Sequence, residues 1–415
     1  MTKILVVTER FYPPWSDGTV SYARGLVDSI LEASRLRRDL ETTVLSLTEK
    51  VWFGKLHYNE LREYLMARPI DFRWFYSSEK SPETNLLSLL KELFKNKDYQ
   101  LTHIIYNNLD PILTRLGTAL AKEPLLMKHL FIYPIHKAFT AQKFFYRLLE
   151  KISFLKSINV KFAVSSKVLL KLYGLTDAII IPPAINIELY KPIPAKSSCS
   201  NTIVEILAKP KIKTNNLEKV LSRDTVILYM GPLTPQRFHY KSVLKSISKL
   251  KKEFSIDIGL IAVGRGFEDP NYFKEITSFV RKYDLESRVF FCLKDLSDWE
   301  KVHLLNETSI FMYFFQPKLA YMDVVFPPIA LLESMSVGKP VVAGGLPNLD
   351  ALIKNHENGV LIENAIDEKE IAKGLGNAIV NMKKLSSNAR TTIISEYSTK
   401  KVAETYLTLL KNCGV

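Results

Sequence analysis

The sequence predicts an α/β protein made of two doubly wound domains, each a parallel sheet with helices on both faces. Three observations predict this. Continuous apolar runs of strand length alternate with segments of helical spacing, the pattern of a parallel sheet covered on both sides. A Pro- and Ser-rich interruption, Lys191-Pro192-Ile193-Pro194-Ala195-Lys196-Ser197-Ser198, divides that alternation into two halves of similar size. A chain of 415 residues is long enough for two or three domains of ordinary size. With 47% hydrophobic and 24% charged residues the chain is not disordered, and 16 Gly and 20 Pro exclude collagen-like and low-complexity classes.

In the first half, residues 4–8 form a strand of unbroken apolar character and 20–33 a helix, followed by a strand at 42–47. A helix at 86–94, a strand at 101–106, a helix at 111–121 and a strand at 128–135 continue the alternation. A strand at 160–165, a helix at 166–173 and a strand at 178–181 close it. Residues 191–224 are polar and read as a linker or an extended crossover. The second half carries strands at 226–230, 256–263, 288–292, 309–314, 340–343 and 360–362. Helices fall near 240–253, 270–283, 298–306, 329–336, 348–354 and 367–382, and the chain ends in helical segments near 385–396 and 399–411. The expected boundaries are a first domain over 1–190, the linker 191–224, a second domain over 225–395, and a terminal helix over 396–415 able to pack back on the first domain. In such sheets ligands bind at the carboxyl ends of the strands, so two domains facing each other make a cleft.

The three cysteines, Cys199, Cys292 and Cys413, are too few and too scattered for a disulfide framework or a Cys-rich zinc site, and they fit a reducing cytoplasm. No run of 18 apolar residues is present, so no membrane span is expected, and the first residues read as a strand rather than a signal peptide. The net charge is +14 and unevenly placed: residues 126–175 hold nine basic residues against the single acid Glu150. Within them, 139–156 reads as a basic amphipathic helix with Phe139, Phe144, Phe145, Tyr146 and Phe154 among its apolar residues. Such a helix can dock on an anionic membrane surface, or its charges can be a solvated face over an aromatic packing face. No nucleic-acid module accompanies it, so no nucleic-acid partner is expected.

Three loops carry candidate chemistry. The first βα loop, residues 8–19, places Gly18 just before a helix, where backbone can approach an anion or simply turn. The second domain opens with Tyr229-Met230-Gly231-Pro232-Leu233-Thr234-Pro235-Gln236-Arg237. A strand ending in Gly231, followed by Arg237 and then Lys241, suits a diphosphate cradle. The next strand ends in Gly264-Arg265-Gly266, too short for a dinucleotide fingerprint. Beyond these loops, the stretch Asp323 to Ala343 places Glu333 in an apolar helix, where an unpaired charge is costly. A structural ion pair and a carboxylate gripping ribose hydroxyls are both open for Glu333 at this level.

These residues resemble a GT-B glycosyltransferase of family 4. The N-terminal part of the resemblance is Tyr12-Pro13-Pro14 with Asp17-Gly18. The middle part is Phe162-Ala163-Val164-Ser165-Ser166, Ile181-Pro182-Pro183-Ala184-Ile185-Asn186 and Leu189-Tyr190-Lys191-Pro192. The C-terminal part is Phe326 to Ala343 with Asn358-Gly359-Val360-Leu361-Ile362. The resemblance implies two Rossmann-like domains facing across a cleft, an acceptor-side first domain and a donor-binding second domain. It implies transfer of a sugar from a nucleotide diphosphate sugar to an acceptor, with retention, without a metal and without any cofactor beyond that co-substrate. By position, Glu333 holds the ribose and Arg237 stands at the diphosphate-binding cation, with Lys241 as its substitute. Gly18, Gly231, Gly264 and Phe326 line the donor, and His136 contacts the transferred sugar, although a strand-end His is equally read as structural.

The sequence departs from the family pattern at several places. The first carboxylate of the usual pair is Val325, with Asp323 as a substitute on the same side of an extended stretch. Pro327 and Pro328 follow Phe326, Pro232 stands where the family has Arg, and Asn348 where it has Glu. The expectation is therefore an active retaining glycosyltransferase in the cytoplasm, peripheral to the inner face of the membrane through 139–156, with a lipid-linked or membrane-surface glycan acceptor. The alternative is a catalytically inactive GT-B-like partner or regulator of another glycosyltransferase. An epimerase or phosphorylase finds little support, since no lysine context for a phosphorylase cofactor is present.

Overall fold

The computed structural model describes residues 1–15, 17–47, 55–74, 99–106, 129–134, 160–176, 178–193, 200–207, 217–235, 237–264, 270–315, 327–346 and 348–415. In chain order its first elements are β1 (Thr2–Thr8), α1 (Gly18–Leu36), β2 (Leu40–Ser46), α2 (Lys55–Met66), β3 (Ile70–Trp74), β4 (Leu101–Tyr106), β5 (His129–Pro134), β6 (Val160–Val164), α3 (Lys167–Tyr173) and β7 (Ile179–Ile180). Then come α4 (Ser200–Leu207), α5 (Leu217–Leu221), β8 (Thr225–Met230), α6 (Tyr240–Phe254), β9 (Ile258–Gly264), α7 (Pro270–Lys282), β10 (Val289–Leu293), α8 (Asp298–Glu307) and β11 (Ile310–Phe314). The last are α9 (Ile329–Ser336), β12 (Val341–Gly344), β13 (Val360–Ile362), α10 (Glu368–Val380), α11 (Met382–Thr392) and α12 (Thr399–Asn412). The chain divides into two compact units: Met1–Ala184 with Asp323–Ile329 and Tyr397–Val415, and Ile185–Met322 with Ala330–Glu396.

The first unit holds a seven-stranded sheet of order β3-β2-β1-β4-β5-β6-β7, with every pair parallel. Its centre is β1, where Ile4, Leu5, Val6 and Val7 are fully buried because helices cover both faces. Helix α1 starts at Asp17, whose carboxylate accepts from the Thr19 and Val20 amides. It buries Val20, Ala23, Leu26, Val27 and Ile30 against the core. Helix α12 joins the same core through Val402, Ala403, Tyr406, Leu409 and Leu410 and packs against α1. A buried polar contact fixes it there. His103 of β4 lies 2.7 Å from the Tyr133 hydroxyl through Nδ1 and 2.7 Å from the Tyr406 hydroxyl through Nε2, and its ring stacks on Phe131. Burial pulls the imidazole down to about 3, so it is neutral, one nitrogen donating and the other accepting.

The second unit holds a six-stranded parallel sheet of order β10-β9-β8-β11-β12-β13. Strand β8 is buried along its whole length, and β9 along all but its last residue. Helices α6 and α10 pack together, with Val243, Leu244, Ile247, Ile371 and Leu375 in the core below them. Helix α8 begins with a reciprocal cap in which the Ser297 hydroxyl accepts from the Glu300 amide and Glu300 accepts from the Ser297 amide.

The two doubly wound sheets that the alternation predicts are both present. The segment at 191–224 contains α4 and α5, and the helix expected at 348–354 is a single 3₁₀ turn over Leu349–Ala351. Helix α2 and strand β3 have no counterpart in the sequence reading. Charged Glu60, Arg62 and Glu63 interrupt the apolar residues of α2, and β3 is an edge strand on which Asp71 and Arg73 face solvent, so neither carries a long apolar run. The helices expected at 86–94 and 111–121 lie outside the described residues.

Candidate functional site

The carboxyl edge of the second sheet is where its loops converge. The strand order reverses between β8 and β11, and the crevice at such a reversal is the usual ligand position of a doubly wound sheet. On one side of it the Gly231 amide donates to the Val263 carbonyl at 3.0 Å. A Cβ on Gly264 would stand 1.7 Å from the Gly231 carbonyl oxygen, so these loop mouths touch backbone to backbone and only glycine fits at 264. On the other side Gly345 has φ +78, and a Cβ there would stand 1.9 Å from the Phe315 carbonyl oxygen.

Arg237 spans the reversal point. The loop after β8 is held down by the Tyr229 hydroxyl, which lies 2.9 Å from the Pro232 carbonyl oxygen and 3.0 Å from that of Arg237. The Arg237 and Phe238 amides both donate to the Thr234 carbonyl. From this fixed loop the Arg237 guanidinium reaches 5.4 Å from the ring centroid of Phe315, the residue following β11. Burial pushes the nearby Tyr229 and Tyr313 hydroxyls far up while the Arg237 charge works against that rise, so both phenols are neutral. Lys241 is exposed in the first turn of α6, with Nζ 5.6 Å from the Tyr240 ring. His239, just before α6, has its imidazole pushed down by burial and then by the Lys241 charge, and its Nδ1 lies 2.8 Å from the Ser242 hydroxyl. Gly231, Gly264 and Arg237 are thus gathered at one sheet edge, with Lys241 one turn beyond.

Glu333 sits in α9 among fully buried Leu331, Leu332 and Met335, and is itself 5% exposed. Its Oε1 accepts from the Lys301 ammonium at 2.9 Å and from the Tyr190 hydroxyl at 2.8 Å. Lys301 also pairs with Asp298 at 3.2 Å, and the Tyr190 hydroxyl lies 2.8 Å from the same Asp298 oxygen. Two carboxylates thus share one buried ammonium, and a buried charge is tolerable only when so paired. The ion pair left open by the sequence therefore exists. It engages Oε1, while no described residue donates to Oε2. Just past α9, the Lys339 ammonium donates to the Asn306 carbonyl at 2.9 Å, and burial pulls it down to about 8 against the opposing pull of Glu307.

In the first unit, Gly18 opens α1 at the carboxyl end of β1. Asp17 caps the helix and accepts from Arg10 Nη2 at 3.1 Å. His136, Asp323 and Phe326, with Val325 and the basic stretch 139–156, lie outside the described residues. Tyr190, Asp298 and Lys301 are site residues that the sequence reading did not single out. Asp298 and Lys301 lie three residues apart in a helix with buried leucines, a spacing that puts an acid and a base on one inward face. Among the described residues, no group of three or more His, Cys, Asp or Glu could hold a metal ion, and no helix is long and apolar enough to cross a membrane.

Residues 213–392, which carry this sheet and both charged sets, match the family described as glycosyl transferases group 1. This segment is similar to the group 1 glycosyl transferases. The chain as a whole has the GT-B fold of two Rossmann-like domains, as its solved relatives in structure show. A glycosyltransferase from Rickettsia africae superposes with TM-score 0.70 at 17% identity, covering 99% of this chain and 98% of that one. Anabaena Alr3699/HepE, solved in complex with UDP and glucose, superposes with TM-score 0.68 at 15% identity over 99% of this chain and 100% of that one. The lipopolysaccharide outer core galactosyltransferase WaaB superposes with TM-score 0.61 at 15% identity over 99% of both chains. Comparison with curated proteins finds no match. The matched segment contains Gly231, Gly264, Arg237, Lys241 and Glu333 together.

Proposed function

We propose that the chain transfers a sugar from a nucleotide diphosphate sugar to a glycan or lipid-linked acceptor, with retention and without a metal. One observation carries this reading: a fixed cation, Arg237, stands over the β8–β11 reversal point, beside a glycine-lined strand edge of a segment similar to group 1 glycosyl transferases. The UDP complexes of the Anabaena relative support a nucleoside diphosphate as the leaving group.

In this reading Arg237 stabilises the charge that develops on the diphosphate as the glycosidic bond breaks, and Lys241 adds a second, solvent-facing cation. Gly231 and Gly264 let the phosphates approach the backbone. Glu333 receives ribose hydroxyls on Oε2, and Phe326 lines the donor. His136 contacts the transferred sugar and Asp323 supplies the carboxylate missing at Val325. Gly18 admits the acceptor or the donor phosphate to the start of α1. The first unit would serve the acceptor, and 139–156 would hold the protein at an anionic, cytoplasmic membrane surface. Liposome flotation tests that last part: binding should need anionic lipid, and indifference to lipid charge would remove electrostatic docking.

Thermal-shift and hydrolysis measurements with a panel of nucleotide sugars test the whole reading. At least one donor should stabilise the protein and turn over. A panel with neither effect contradicts the proposal. The departures at Val325, Pro232 and Asn348 favour one second reading, an inactive partner of another transferase. Co-purification with an active transferase, together with absent turnover, is its signature.

A further inference from the structure

Glu333 is held by a buried set of polar and charged side chains. Lys301, 5% exposed, bridges Asp298 and Glu333, and the Tyr190 hydroxyl touches the same two carboxylate oxygens. Arg390 of α11 also reaches this place, where it meets backbone. Its Nη1 donates to the Tyr190 carbonyl and makes a short contact to the Ser336 carbonyl at the end of α9, not to either acid. The Ser336 hydroxyl donates to the Tyr190 carbonyl at 2.7 Å, tying Tyr190 to α9 from the other side. Without the ammonium, two acids this close could not both stay ionised.

We infer that Lys301, seconded by Tyr190 and Asp298, is the positioning residue of the donor site: it pins Oε1 of Glu333, so that Oε2 is presented to the vicinal hydroxyls of a nucleoside diphosphate. The inference rests on the donor reading above and adds to it what makes Glu333 a competent acceptor. Tyr190 meets Lys301, Asp298 and Glu333, and Lys301 meets both acids, so turning the Glu333 carboxylate away from this set would break two hydrogen bonds at once. A neutral donor of hydrogen bonds, such as a ribose diol, suits a carboxylate oxygen, whereas an anionic group does not.

The test is isothermal titration of UDP and GDP against the full chain from pH 5.5 to pH 8.5, for wild type, Lys301→Met, Lys301→Arg, Tyr190→Phe and Glu333→Gln. Each variant is read as the ratio of its affinity to that of wild type at the same pH, because the terminal phosphate of UDP and GDP itself titrates in this range. By this ratio Lys301→Met should bind at least about tenfold more weakly at the acid end than at the alkaline end, because one carboxyl of the pair now takes up a proton. Lys301→Arg should restore most of a flat ratio. Tyr190→Phe, which removes a single hydroxyl and keeps the packing, should show the same acid-side loss in smaller measure. Glu333→Gln should be weak and flat. An equal loss at every pH in Lys301→Met and Tyr190→Phe, or no loss in either, overturns the positioning role while leaving the donor reading intact. A wild type that binds neither probe overturns the donor reading and this inference with it. The cluster itself is then still readable from whether Glu333→Gln recovers the thermal stability lost in Lys301→Met.

Discussion

Arg237 and Lys241 are both cations of one loop, yet their surroundings assign them different weight. Arg237 is half-buried over Phe315 on a loop tied to Tyr229, so its charge acts at close range in a poorly screened place. Lys241 is exposed and screened by solvent and salt. Arg237→Ala should lower kcat by about 10²–10³, as loss of a fixed group facing developing charge does, and Lys241→Ala should cost less and lose its effect at high salt. Steady-state kinetics at two ionic strengths checks both. Cys292 is buried in β10 and its thiol is pushed up to about 11, so it should react with a thiol reagent at neutral pH only as the domain unfolds. Lys339 supplies a pH signature. Its ammonium falls to about 8 in the fold against about 10.4 in the unfolded chain, so between these values the unfolded state binds more protons and stability rises with pH. Lys339→Met should remove that part of the rise, measured as the difference in denaturant midpoint between pH 7.5 and pH 9.5.

At the scale of elements, the His103 contact and the glycine contact at the sheet edge carry the most testable statements. Tyr406→Phe leaves a ring nitrogen of His103 buried without its partner and should cost about 1–3 kcal/mol. His103 also makes the fold acid-sensitive. Its imidazole titrates near 3 in the fold and near 6.5 when unfolded, so the unfolded state takes up the extra proton and stability falls as pH drops through that window. His103→Gln should be less stable at pH 7 but flatter toward acid, as chemical denaturation across pH 4–7 would show. Gly264→Ala drives a methyl into the Gly231 carbonyl and should cost about 1–3 kcal/mol or more, with the β8 and β9 loops displaced together. The apolar runs made β1, β8, β9 and β11 legible in the sequence, because a strand buried on both faces must be apolar throughout. Strand β3 was not legible: at a solvent-facing edge, Asp71 and Arg73 alternate with Phe72 and Trp74, and no run forms. The cap of α8 is written in Ser297 and Glu300, yet the inward face of Asp298 and Lys301 on the same helix reads as ordinary polar surface until its partners, Tyr190 and Glu333, are brought in from 108 and 32 residues away.

For the whole molecule, two parallel sheets with a Rossmann-type strand order give the GT-B architecture, and one segment is similar to group 1 glycosyl transferases, but the chemistry belongs to particular side chains. The sequence pointed to Gly231, Gly264, Arg237 and Glu333 because strand ends and a charge in an apolar helix are visible one-dimensionally. It did not reveal that Glu333 shares a lysine with Asp298, since that depends on tertiary packing. The central claim is that a diphosphate is held by Arg237 at the β8–β11 reversal point. The measurement that tests it most directly is the affinity of wild type and Arg237→Ala for UDP against UMP, and for GDP against GMP. The account predicts that wild type prefers the diphosphate of its own base, and that Arg237→Ala abolishes this preference while leaving monophosphate affinity nearly unchanged. An undiminished diphosphate preference in Arg237→Ala would contradict it.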